Sequence, residues 1–284
     1  MNTNTRHCNF RASLLTLALL SLIGAAQAQA KDQAQPEGNT LMLGLGLGFG
    51  AKYAGSKKIE GGVMPGIDYS MSNGFYASTL RGIGWGGQSG PFGYSAGLGL
   101  RGGREDRDKK KGLGGGGANE LLGMGEIKTT ATLNLGVSYN LMDAVELSAG
   151  VELPLSKGKK NAKLGDKALQ HGTVFRLGAS AGIWGNDSSD VSIELGATAG
   201  DKKYMQTFFG VTPEQAAATK FKAYAPKAGF HSIEASINWN YKIDKKWGVV
   251  TSLGVNHLLG DAGKSPIVQR KSTPTGMVML TYLY

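Results

Sequence analysis

The chain has 284 residues, room for one large domain or two small ones. Its 45 glycines against 8 prolines are about twice the usual glycine share, yet its tyrosines, tryptophans and alternating aliphatics exclude both collagen and a disordered tail. A mean hydropathy of -0.17 excludes a multi-helix membrane protein, and a net charge of +10 points to an anionic neighbour.

The first thirty residues read as a signal peptide. Arg6, His7 and Arg11 form a basic start, and Ala12 to Ala26 is an apolar run short for a membrane span. Small-x-small cleavage sites then end at Ala28 and Ala30. Cleavage there leaves a short segment, 31–39, ahead of a single domain, 40–284. Cys8 is the sole cysteine and precedes the apolar run, so the exported part is expected to carry no lipid anchor, disulfide or thiolate chemistry. That part holds 29 basic against 21 acidic residues. Export makes outer-membrane lipid and lipopolysaccharide the expected anionic neighbours, with no nucleic acid.

LMLGLGLGFG (Leu41–Gly50) sets the pattern for the rest of the chain: Leu41, Leu43, Leu45, Leu47 and Phe49 alternate with Met42 and four glycines. A membrane helix needs about 20 apolar residues, whereas a tilted membrane strand needs about 9–11, and the strand fits. The same period recurs at 63–70, 92–101, 127–140, 145–153, 175–183, 191–198, 233–241, 249–256 and 276–284, with a weaker strand at Phe75–Ile83. Those eleven strands need a twelfth, because a bacterial barrel has both termini in the periplasm and hence an even count. The missing strand is expected between Gly102 and Gly125.

Charges inside these strands fall on the non-aliphatic parity: Asp68, Lys128, Glu146, Glu152, Arg176, Glu194 and Glu234. The rest of that face is Gly, Ser, Thr and Asn, suited to a crowded wet interior. The other face is aliphatic and ends in Tyr69, Tyr139, Trp239, Tyr241, Trp247 and Tyr284, the girdle where an apolar band meets head groups. Backbone in hydrocarbon must be fully paired, which strands achieve by closure. The expected fold is therefore all-β: a closed antiparallel transmembrane β-barrel of about 12 strands, with Asp68, Lys128, Glu146, Glu152, Arg176, Glu194 and Glu234 facing the lumen.

Short turns near 72–74, 141–143, 184–190 and 244–246 are assigned to the periplasm, and long connections at 102–125, 156–171, 201–229 and 258–274 to the outside. The basic runs Arg104–Lys111 and Ser156–Lys160, with Lys57 and Lys58, then fall in outer loops as solvated charge or as contacts to lipopolysaccharide phosphates. Thr212 with Pro213 predicts the start of one short helix continuing to Lys220 in the longest loop.

Chemistry is sparse. Gly97 to Gly102 matches G-x-G-x-x-G, but a charged run follows where a dinucleotide site needs a helix. His171, His231 and His257 are isolated, without a second ligand at metal spacing, and no serine–histidine–acid set stands out. The expectation is a protein that is no enzyme and takes no cofactor.

The loop Asp201–Ala216 (DKKYMQTFFGVTPEQA) resembles a signature of the MipA/OmpV family of outer-membrane proteins, carried by Asp201, Tyr204, Phe208, Phe209, Gly210, Val211 and Thr212. Three other stretches agree: Lys52–Ser56, Leu122–Gly125, and Leu259–Ala262 followed by Ser265, Pro266, Ile267 and Val268. The run REDRDKKKGLGGGG before Leu121 departs from the family pattern. The resemblance implies a monomeric barrel in the outer membrane of a Gram-negative bacterium. It also implies a scaffold joining a murein transglycosylase to a penicillin-binding protein; other members of the family are linked to osmotic response, adhesion or antibiotic passage. It supplies no catalytic residues. The alternative drawn from the lumen is a narrow pore or uptake route for small polar solutes.

Overall fold

The computed structural model describes residues 38–107, 118–142, 144–158 and 169–284. The signal peptide expected at 1–30 lies outside the described residues, as do Asp108–Lys111, Lys159 and Lys160 of the basic runs. Twelve strands close into one antiparallel barrel in which each strand pairs with its neighbours in sequence and the last returns to the first. They are β1 (Thr40–Ala51), β2 (Ile59–Ser70), β3 (Phe75–Ser78), β4 (Gly82–Ser89), β5 (Phe92–Arg101) and β6 (Thr130–Met142). The second half comprises β7 (Val145–Pro154), β8 (Val174–Gly185), β9 (Ser189–Gly200), β10 (Gly229–Lys242), β11 (Trp247–Leu258) and β12 (Ser272–Leu283). Closure runs from Met42 opposite Leu283 to Phe49 opposite Gly276.

The side-chain period of two decides which solvent each face meets. Leu45 and Leu47 are 63% and 61% exposed on the outside, while Gly46 and Gly50 between and beside them are buried toward the lumen. The same outward set continues through Leu98, Val137, Leu177, Leu195 and Leu253, each more than half exposed. So large an apolar surface has no place in water, and with the strand order closed on itself it belongs to a barrel that spans a membrane.

The aromatic residues are split by end. Trp85 packs on Tyr94, Phe92 on Tyr139, Trp239 on Tyr241 and Trp247 on Tyr282, all toward the end that carries the short turns. Phenylalanines alone, Phe49, Phe175 and Phe230, mark the outward face at the other end. Tyr and Trp carry a polar tip that suits head groups, which places a belt at the turn end. The turns there are fixed by Asn and Asp side chains bonding backbone two or three residues on. Asn73 accepts from Phe75 N–H, Asn186 from Ser188 and Ser189, and Asp244 from Lys246 and Trp247.

Two expectations need correction. The twelfth strand does not lie between Gly102 and Gly125. There, the described residues form a lone bridge from Arg104 to Ile127 and a 3-10 turn at Asn119–Leu121. Instead the single weak strand at Phe75–Ile83 is a hairpin, β3 and β4. GIGWGGQS has four glycines in eight residues, so its alternation carries almost no hydrophobic signal. Second, β6 starts at Thr130, so Ile127 is not a lipid-facing residue and Lys128 is not in the lumen. Ile127 is 2% exposed inside the loop structure, and Lys128 is an exposed loop residue.

Candidate functional site

The deepest hydrophobic packing lies in the loops. Five connections at one end fold together into a cap over the barrel mouth. The expected helix is present as α2 (Pro213–Ala218), its first turn closed by a capping box between Thr212 and Gln215. The sequence reading missed α1 (Lys202–Phe209), which Asp201 caps by accepting from Tyr204 N–H at 2.8 Å, and the single turn α3 (Gly260–Gly263). One buried cluster joins Tyr53, Leu121, Met124, Val211 and Ile267; a second joins Ile127, Met205, Phe208, Phe209, Leu258 and Ala262.

The four family stretches, far apart in sequence, meet in this cap. Tyr53 donates to Ile267 O (3.1 Å), Gln215 Nε2 to Met124 O (2.7 Å), Ser265 to Phe209 O (2.5 Å) and Tyr224 to Asp261 O (2.8 Å). Gly210 follows α1 as its C-cap, Pro266 lies between Ser265 and the buried Ile267, and Gly55 O accepts from Gln269 and Arg270 N–H. Gly55 holds φ +91°, and a methyl added to it meets Val268 Cγ2 at 2.6 Å. Gly55→Ala is therefore expected to lower stability by about 1–3 kcal/mol, read as a lower unfolding midpoint in micelles with strand content unchanged.

Arg104 shows how dry the cap is. Read from the sequence as solvated loop charge, it is 5% exposed and donates Nη1 to Phe208 O, while Nε and Nη2 have no partner. Burial pushes its pKa down to about 10, against the opposing pull of Tyr53 and Asp106. Lys58, also placed in a loop, pairs with Glu120, whose pKa that lysine lowers.

Beneath the cap lies a polar girdle. Glu152 on β7 is buried and accepts from Arg101 Nε on β5 and from Arg176 Nη2 on β8 (2.7 Å). Arg101 also donates to Gly172 O (2.7 Å) and lies 5.3 Å from the centre of the Tyr204 ring. That ring stacks on Phe208 at 4.6 Å and on His231 of β10 at 5.0 Å. β5 and β10 stand almost opposite each other in the strand order, so one tyrosine from α1 bridges the mouth. Burial, reinforced by Arg101, lowers the pKa of His171 at the same level.

Burial also raises Tyr53 and Tyr204 to about 12. Unfolded, both would ionise near the usual value of about 10. Their stabilising effect is full below pH 10 and is lost as pH rises to 12. Arg104 works in the opposite sense, because its buried charge is shed above about 10, but it is one group against two. The cap is expected to unfold between pH 10 and 12, seen as tyrosinate absorbance appearing together with loss of helical signal.

The other expected lumen residues separate by partner. Asp68 on β2 is bidentate with Arg81 (2.7 and 3.0 Å), whose guanidinium also lies 4.4 Å from the Tyr76 ring centre. Glu234 accepts from Asn256 (2.5 Å), Glu194 Oε2 is buried with no partner, and Glu146 shares the inward parity on β7. The opposite wall differs: Met42, Met64, Met277 and Met279 point inward from β1, β2 and β12 among glycines. The lumen therefore has an acidic wall and a soft apolar wall. Sequence reasoning missed Arg101, Arg81 and His231 as site residues. Arg101 shares the parity of Gly93 to Gly99 and could have been found; Arg81 sits in a turn and carried no such signal.

No curated protein matches the sequence. Among solved structures the chain is similar to the NanC porin, with TM-score 0.48 and 9% identity over 84% of this chain and 98% of the porin. It is similar to the KdgM porin (TM-score 0.42, 10% identity, 85% and 98% covered) and to the Pseudomonas putida toluene transporter TodX (TM-score 0.40, 12% identity, 93% of each). The four loop stretches that meet in the cap lie within residues 43–284, which match the family model described as MltA-interacting protein MipA, and the chain belongs to that family.

Proposed function

We propose that this barrel sits in the outer membrane as a monomer, with its capped end outward and its short turns in the periplasm, and works as a scaffold for peptidoglycan-remodelling enzymes. The observation that carries the reading is the bridged mouth, where Tyr204, Arg101 and His231 link nearly opposite strands beneath two hydrophobic clusters. A general solute pore keeps its mouth open; an anchor gains from a rigid, plugged body. The family's name supports a murein transglycosylase as partner, with a penicillin-binding protein as the second enzyme joined. The reading involves no catalytic step. Exposed Lys57 and Lys128 are suited to lipopolysaccharide phosphates.

The test is a pull-down of the folded barrel against periplasmic extract. It should recover a murein transglycosylase, and recovery should fall when the turns at 186–188 and 243–246 are exchanged for Gly-Ser linkers. Equal recovery from the exchanged barrel, or none from either, would remove the scaffold reading. The second reading, a route for small polar solutes, draws on the acidic wall of Glu146, Glu194 and Glu234 and predicts channel activity of the unmodified barrel.

A further inference from the structure

Among the described residues, one stretch of the wall has an incomplete ladder. β2 pairs with β1 along its full length, but with β3 only at Asp68, Tyr69 and Ser70. β3 has four residues, and β4 leaves β5 unpaired on that side beyond Leu98. Among the described residues, no ladder bond reaches β2 from this side above Ile67. The open edge of β2, Gly61 to Gly66, is about 20 Å long at the usual rise of a strand.

The gap is built by specific residues. Ser78 Oγ accepts from the N–H of both Leu80 and Arg81 (3.2 and 3.3 Å), turning the chain back early. Gly82 takes φ +82°, which starts β4 against Leu98. Thr79 ends the ladder: its N–H donates to Ile67 O (2.9 Å), and its hydroxyl accepts from Ile67 N–H (3.1 Å). Those bonds show that Ile67 directs its backbone groups into the gap, so Pro65, Val63 and Gly61, at steps of two, face the same way. Pro65 has no N–H to offer there. A proline at mid-edge blocks the addition of another strand, from a second copy or from any protein partner. The edge is therefore kept from taking up a further strand.

The gap also lies within the apolar band. Val63, Ile67, Leu98 and Leu100 on its two rims are 41–56% exposed on the outer face, level with Leu45 and Leu47 of β1. With no ladder partner on this side among the described residues, the Gly61 and Val63 backbone groups cannot sit in dry hydrocarbon, so lumen water must reach them. On the inside the gap opens beside the Met42, Met64 and Met279 wall, whose unbranched thioethers reshape readily around an apolar guest. Its floor is closed by Tyr76 and the Arg81–Asp68 pair.

We propose that this gap is a lateral window through which a small, uncharged apolar solute exchanges between the membrane interior and the methionine-lined side of the lumen. The window is independent of the scaffold reading: a capped mouth and an open side wall can serve one molecule.

The probe is 3-trifluoromethyl-3-phenyldiazirine, a small apolar photolabel that partitions into bilayers. The full barrel is reconstituted in phospholipid vesicles and illuminated, and the labelled residues are mapped by mass spectrometry. Label is expected on inward Met64, Met42 and Met279 as well as on outward leucines, and not on inward Ser148 or Ser180 of the fully paired wall. Gly62→Phe, which puts an aromatic ring on the lumen side of the window, should cut methionine labelling several-fold while outward labelling stays constant. Label confined to outward residues, or methionine labelling unchanged in folded Gly62→Phe, would overturn the window. Should that variant fail to fold, the contrast between Met64 and Ser148 in the native barrel decides alone.

Discussion

Glu152→Ala is expected to destabilise the barrel by about 3–5 kcal/mol, the usual result of removing one partner from a buried ion pair. The side chains of Glu152 and Arg101 are only 4% and 5% exposed, and Arg176 is 25% exposed. Without the carboxylate, two guanidinium groups face each other, and among the described residues Gly172 O is the one backbone acceptor that Arg101 keeps. Arg101 Nη2 already lacks a partner, so the site has no spare acceptor to absorb the loss. Glu152→Gln should fall between the two, because it keeps the shape and one acceptor but not the charge. Glu194→Gln supplies the contrast. Its Oε2 is buried without a partner, so neutralising it should be neutral or stabilising. The readout is the urea midpoint for loss of the compact band in unheated electrophoresis. Equal effects at 152 and 194 would mean that lumen charge as such, rather than the pairing, sets stability.

The wall was largely legible in the sequence and the cap was not. A strand between oil and a lumen must alternate, so Leu41 to Gly50 or Thr130 to Asn140 states its own orientation residue by residue. Legibility failed where glycine replaced that contrast: in Gly82–Ser89 only Ile83 and Trp85 mark the outward face before Gly87 and Ser89, and a strand was overlooked. Lys128 failed for a different reason. Alternation across Ile127, Lys128 and Thr129 was accidental, because Ile127 serves the packed interior of the cap, which follows no period. The helix α2 was foreseen from Thr212 and Pro213, whose capping chemistry is local. In contrast, α1 carries three aromatic rings in KKYMQTFF that only tertiary packing can reward. Asp68, Glu152, Arg176 and Glu234 share the parity that alternation alone assigns to the lumen. That Glu152 lies between two arginines, and that Tyr204 reaches both Arg101 and His231, depends on strand register and loop fold, which no single segment encodes.

Two environments therefore shape one chain. The barrel is held by paired backbone and lipid-facing leucines, whereas the cap is held by buried Tyr53, Phe209, Leu121 and Ile267, much as in a small water-soluble domain. The loops that form the cap leave and re-enter the wall at neighbouring strands, so the cap can be altered without breaking the ladder.

Replacing residues 201–228 with a short Gly-Asn turn is expected to convert a silent barrel into a conducting one in planar bilayers. Gly200 and Gly229 are direct partners across β9 and β10, so a tight turn can join them with no change in register. The deletion removes Tyr204, the ring that links Arg101 to His231, and with it Met205, Phe208, Phe209 and Val211 of the two clusters. Each lost phenylalanine is worth about 3–5 kcal/mol of local packing, so the remaining loops lose their shared core and the mouth opens. The lumen then exposed keeps Glu146, Glu194 and Glu234, and the open channel should favour cations at neutral pH and low salt. Tyr204→Ala alone should give rarer, briefer openings, because Phe208 and Phe209 still hold α1 in place. Discrete current steps in the native barrel would show that the cap is no seal. Silence in the shortened one would move the seal down to the methionine side chains lining β1, β2 and β12.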